Sequence, residues 1–162
     1  MYSKYIILID KNATLPSRSS IVESAWGNDV PISFIQDNEV LNDASYLDFK
    51  VNKWEANSKW SEMQDDEPMI RVEIFREERV ADFLRDNELW FAFDYEHYFL
   101  VALELDDGWH EVDQFLLARV VKVLAENQKV YAYDDVKGYI DCGDYLQSLP
   151  SKEAVRKSVF LD

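Results

Sequence analysis

Tyr98-Phe-Leu-Val-Ala-Leu-Glu-Leu105, followed by Asp106-Asp-Gly-Trp-His110 and an apolar-periodic run to Asn127, is the stretch on which the reading of this fold turns. The first run is too short, and too rich in aromatic and β-branched residues, for a helix, so it predicts a strand. From Glu111 the period becomes helical: Val112, Phe115, Leu116, Val120, Val123 and Leu124 recur at i, i+3, i+4 and i+7. Leu117 and Val121 widen that stripe, and the polar remainder is a wedge of Gln114, Arg119, Lys122 and Glu126. A helix apolar over so wide an arc is covered on more than one side. A long central helix over about 110–127 is therefore expected. Asp107 or Gly108 is the expected cap, and Asp106, Asp107 and Glu111 suit the positive end of its dipole. Val130-Tyr-Ala-Tyr133 then reads as a second strand.

Working outward, Tyr5-Ile-Ile-Leu-Ile9 is a continuous apolar run, as in a strand buried on both faces. Ser17 is placed to cap a helix carrying Ile21, Val22, Ala25 and Trp26, with Gly27-Asn28 as its stop. Val30–Ile35, Ser45–Trp54 and Met69–Phe75 predict further strands, the last two by alternation. Glu55–Pro68 reads as an exposed polar loop. Glu77–Asn87 is a short amphipathic helix, and Leu89–Leu105 is too long for one strand, which predicts a hairpin turning at Asp94–His97. Residues 138–140 form a last strand, and helices follow at 142–149 and after Ser151. A strand–helix–strand–strand pattern occurs at 5–54 and again at 98–140. With only 4 Gly and 4 Pro, no linker divides the chain. The expectation is a single α+β domain over 1–162: a mixed or mainly antiparallel sheet with helices packed mainly on one face.

At 162 residues the chain is long enough to bury roughly 70% of its unfolded surface. Its 48% apolar content excludes a disordered acidic tail despite a net charge of −15. The lone Cys142 cannot form an internal disulfide. No secretion signal and no apolar run of about 20 residues is present. A soluble cytoplasmic protein is expected, with no membrane association. The charge is unevenly spread. Residues 62–113 hold 17 acids and 4 bases, net −13, against net −2 for 1–61 and zero for 114–162. A solvated face needs only a few charges and gives no reason to concentrate them; a basic partner does. Direct nucleic-acid binding is disfavoured, because phosphate requires clustered Lys and Arg.

No catalytic signature is present: HExxH, GxSxG, the P-loop and GxGxxG are all absent. Asp106, Asp107, His110 and Glu111 could gather around a divalent ion, but acids that cap a helix are the simpler reading. Cys142 sits between acids that disfavour its thiolate. No catalytic, cofactor or metal residue is assigned. The remaining candidate is the aromatic-acidic mixture Glu88, Trp90, Asp94, Glu96, Tyr98, Asp106, Asp107, Trp109 and Glu111, since aromatic anchors within a ring of charge make tight interfaces.

In build and charge the chain resembles the immunity proteins of bacterial toxin–immunity systems, of the contact-dependent and type VI secretion kinds. The resemblance covers the whole chain and rests on no diagnostic motif, so no residue is carried over. It implies a non-enzymatic inhibitor that binds a cognate toxin domain through a basic surface or cleft. Two other readings stand beside it. One is a mimic of nucleic acid that inhibits a DNA-binding protein. The other is a small Asp/Glu-dependent hydrolase, although nothing singles out a pair among the 32 acids.

Overall fold

The computed structural model describes residues 1–35, 39–41, 45–89, 94 and 96–161. Among the described residues seven strands form one sheet: β1 (Lys4–Asp10), β2 (Ile32–Phe34), β3 (Tyr46–Val51), β4 (Ile70–Phe75), β5 (Tyr98–Leu105), β6 (Lys129–Asp134) and β7 (Gly138–Asp141). Their order is β2-β3-β4-β5-β1-β6-β7, and every neighbouring pair is antiparallel. The α-helices of the described residues are α1 (Arg18–Ala25), α2 (Lys53–Ala56), α3 (Glu78–Asp86), α4 (Glu111–Leu124), α5 (Gly143–Gln147) and α6 (Lys152–Val159).

The two strand–helix–strand–strand units of the sequence interlock at the centre. β1 and β5 lie side by side, with Ile7 opposite Val101. After β1, α1 carries the chain past β5 to β2 and β3; after β5, α4 carries it past β1 to β6 and β7. Both central strands are consequently apolar on both faces. Tyr5, Ile7, Ile9, Phe99, Val101 and Leu103 point to the main core, which α1, α4, α5 and α6 cover. Ile6, Leu8 and Leu100 point the other way, under Val80 of α3. Five of the helices pack on one face, α2 through Ala56, and α3 on the other, an α+β architecture with helices mainly on one side.

Helix α4 is central, as its width implied. Leu116, Leu117, Val120 and Val121 are 1% exposed or less. Trp26 Nε1 donates to Leu116 O at 3.1 Å, and Arg119 Nε donates to Ala25 O at 3.3 Å, tying α4 to the end of α1.

Several expectations are corrected. Val112, Phe115 and Val123 are half-buried, whereas Gln114 and Arg119 of the supposed polar wedge are buried. Neither Asp107 nor Gly108 caps α4: the N-cap is His110, and Asp106 is held by Arg71 instead. Residues 53–66 are not a loop but α2 and a 3-10 helix, Ser58–Asp66. Glu67, expected to be exposed, is 9% exposed and accepts a hydrogen bond from Trp54 N. The first arm of the expected hairpin falls on residues 90–93, outside the described residues. Between Leu100 and Glu104, however, β5 has β4 on one edge and β1 on the other, so its ladder partners come from elsewhere in the chain. Among the described residues no helix is long and apolar enough to cross a membrane.

Candidate partner-binding groove

The start of α4 is built from Asp106-Asp-Gly-Trp-His110. β5 ends where Asp106 N donates to Met69 O. Gly108 then turns the chain with φ +89°, a conformation that L side chains rarely adopt. Asp113 fixes the first turn, accepting from His110 N at 2.8 Å through Oδ2. Its other oxygen accepts from Lys53 Nζ at 2.5 Å, with both residues buried. Asp113 therefore couples the cap of α4 to α2, and α2 leads into the 3-10 helix.

That 3-10 helix is stitched to the end of α6. Trp60 Nε1 donates to Val159 O at 2.7 Å, Asn57 Nδ2 to Leu161 O at 3.1 Å, and Lys59 Nζ to Ser158 O. Between these pieces lies a cavity of about 500 Å³, within the size range of ligand and anchor pockets. Trp60, Val112, Phe115, Pro150, Val155 and Val159 make it mainly apolar. His110, Glu111 and Ser158 add a few polar groups. Phe115 is half-buried because it forms a wall of this groove rather than packing against the sheet.

The sequence-predicted site residues do not form one patch. Asp94, Glu96 and Tyr98 stand at the beginning of β5, whereas Asp106, Asp107, Trp109 and Glu111 stand beyond its end. An eight-residue strand separates them, about 25 Å. Glu88 follows α3 and lines a separate pocket with Tyr133 and Tyr139. Trp90 lies outside the described residues.

Asp94 organises a turn. Its carboxylate accepts from Glu96 N at 3.0 Å and bonds His97 Nδ1, and the His97 contact holds its pKa below the usual carboxylate range. Tyr98 is half-buried against the second core, under Lys129, and does not project outward as alternation implied. Asp106 takes the Arg71 guanidinium bidentately, at 2.6 and 3.0 Å, and Asp48 accepts from the same guanidinium at 3.2 Å. Burial raises the pKa of Asp48, opposed by Arg71.

That leaves Glu111 in the lining of the groove, with Asp107 and Trp109 in the loop that precedes α4. Asp107 and Glu111 are exposed, and Trp109 is 42% exposed. The groove's own wall was missed in the sequence because it is assembled from three separated segments. The one signal was Trp60, an aromatic residue isolated in a polar stretch.

Among the described residues no group of three or more His, Cys, Asp or Glu is placed to hold a metal ion. Cys142 is buried, and burial pushes its thiol up to about 12, away from a nucleophile's range. No family model, no curated protein and no solved structure matches the chain.

Proposed function

We propose that this protein is a non-enzymatic binding protein that captures a basic partner protein, in the manner of an immunity protein neutralising a cognate toxin. The observation that carries this reading is an apolar groove with Glu111 in its lining, beside the end of the segment that holds most of the net charge. Its occupant is a partner segment with an apolar anchor flanked by Lys or Arg. The anchor fills the space between Trp60 and Phe115, and the cations meet Glu111 in the lining and Asp107 in the loop before α4. Division of labour between a desolvated centre and a charged rim is what gives interfaces both affinity and selectivity.

The split of the predicted patch narrows the surface rather than enlarging it. Asp94, Glu96 and Tyr98 have local structural duties and lie too far away to share one anchor. A mimic of nucleic acid presents its charges along an extended face; a mainly apolar groove with Glu111 in its lining favours a protein ligand instead.

The test starts from co-purification in the native host with identification of the bound protein, followed by titration of purified components. The expected result is a 1:1 complex with a basic protein whose toxicity is suppressed. Phe115→Asp should abolish binding and Glu111→Arg should weaken it, with both variants folded by circular dichroism. A partner that binds Phe115→Asp as tightly as the wild type overturns the groove as the site. A purified complex in which the partner is acidic overturns the reading altogether.

A further inference from the structure

Towards the end of α4, beginning about one helical turn beyond Phe115 of the groove, a second cavity has the opposite chemistry. Its volume is about 480 Å³, and Arg119 and Lys122 line it from one helix face, three residues apart. Arg119 is only 9% exposed. Its Nε donates to Ala25 O, and among the described residues the guanidinium makes no other hydrogen bond and no ion pair. Glu153 is the carboxylate whose charge reaches it, through space and without a direct contact, whereas a largely covered cation is normally paired directly. Lys122 is half-buried and likewise has no ion pair among the described residues.

The rest of the wall supplies donors. Gln128 Oε1 is used by Asp10 N at 3.0 Å, which leaves its amide N–H groups available, and Gln147 faces it from α5. Glu126, at the exposed end, is the one acid of the lining. All of these residues fall between 119 and 147, within the part of the chain that carries no net charge, so the cavity lies outside the acidic segment.

We propose that this cavity is an oxyanion site, in which a small phosphate- or carboxylate-bearing molecule binds Arg119 and Lys122. The planar guanidinium offers its two terminal amino groups to a pair of oxygens, and Lys122 adds a point charge. The bound anion adds the direct contact to the guanidinium that Glu153, acting only at a distance, does not make. Burial lowers the pKa of Arg119, with only Glu153 opposing, which is the condition an anion relieves.

The experiment titrates the full chain with inorganic phosphate and, separately, with malonate, by calorimetry and by thermal shift. Sodium chloride at matched ionic strength is the control, because excluded salts stabilise any fold. At least one of the two anions should bind saturably, 1:1, and shift the side-chain amide resonances of Gln128 and Gln147. Phosphate alone identifies a phosphorylated ligand, malonate alone a carboxylate, and both the shared chemistry. Lys122→Gln should weaken binding about tenfold, the loss of one modest charge contact. Arg119→Gln should abolish it, or Arg119→Lys weaken it if the first variant does not fold. No saturable binding to either anion, or unchanged affinity in Lys122→Gln, overturns the proposal. Neither outcome bears on the groove at the other end of the helix.

Discussion

Asp113 shows how one residue links the core to the groove. Its two oxygens are divided between the His110 backbone and the Lys53 ammonium, so the cap of α4 and the position of α2 depend on the same carboxylate. Removing only the cation leaves a buried, unpaired charge, which costs more than the pair contributes. Lys53→Met should therefore destabilise the protein by about 3–5 kcal/mol in urea denaturation. Adding Asp113→Asn should recover part of that loss, because the uncompensated charge is gone. A Lys53→Met variant with unchanged stability would show the pair to be dispensable. A second contrast lies one turn further along. Leu117 is fully buried, and its truncation to Ala should cost about 2–5 kcal/mol. Phe115→Ala should cost clearly less than the roughly 3–5 kcal/mol of a fully buried Phe, since this ring lines a groove. Equal losses in the two variants would place Phe115 in the core after all.

The elements differ in how plainly the sequence announces them. Central strands and α4 declare themselves because burial on both sides forces long apolar runs, as in Tyr5–Ile9 and Phe99–Leu105. Ser17 and Ser151 accept the helical N–H bonds expected of caps, from Ser20 N and Ala154 N. The 3-10 helix was illegible because side-chain to backbone bonds to α6 hold it, and no local period records those. The same holds for the site: acids and aromatics adjacent in sequence are parted by the length of β5, while groove residues distant in sequence meet. Arg156 of α6 is another such tie. It clamps Asp29 at 2.6 and 2.8 Å and also donates to Trp26 O at 2.6 Å. Its hydrogen bonds hold the Asp29 carboxyl at about 2, below the usual 3.8. A folded-state pKa lowered in this way contributes stability above the unfolded value, and that stability is lost as pH falls through the folded value. The urea midpoint should thus decline between about pH 4 and pH 2. Asp29→Asn should be less stable than wild type at neutral pH, with the difference closing at about pH 2. A constant difference across that window would show that the clamp does not contribute.

At the scale of the whole molecule two chemistries lie along one helix, α4. The start of α4 joins an acidic segment to an apolar groove, and its end faces a cation-lined cavity. Net charge of −13 over residues 62–113 acts at a distance, whereas the groove acts on contact. With a basic partner the encounter should be steered, with association near 10⁸–10⁹ M⁻¹s⁻¹ at low salt against about 10⁵–10⁶ for a neutral pair. Exposed charges are screened over about 8 Å at physiological ionic strength, so added salt should slow association steeply. Dissociation is governed by the desolvated centre. Asp107→Lys, in the exposed loop before α4, should therefore lower the on-rate and its salt dependence while leaving the off-rate nearly unchanged. Phe115→Ala or Trp60→Ala should instead raise the off-rate, by about 2 kcal/mol or more where the ring is a hot spot. Stopped-flow kinetics with the purified partner separates these effects. An on-rate independent of salt would mean that the acidic segment serves solvation alone.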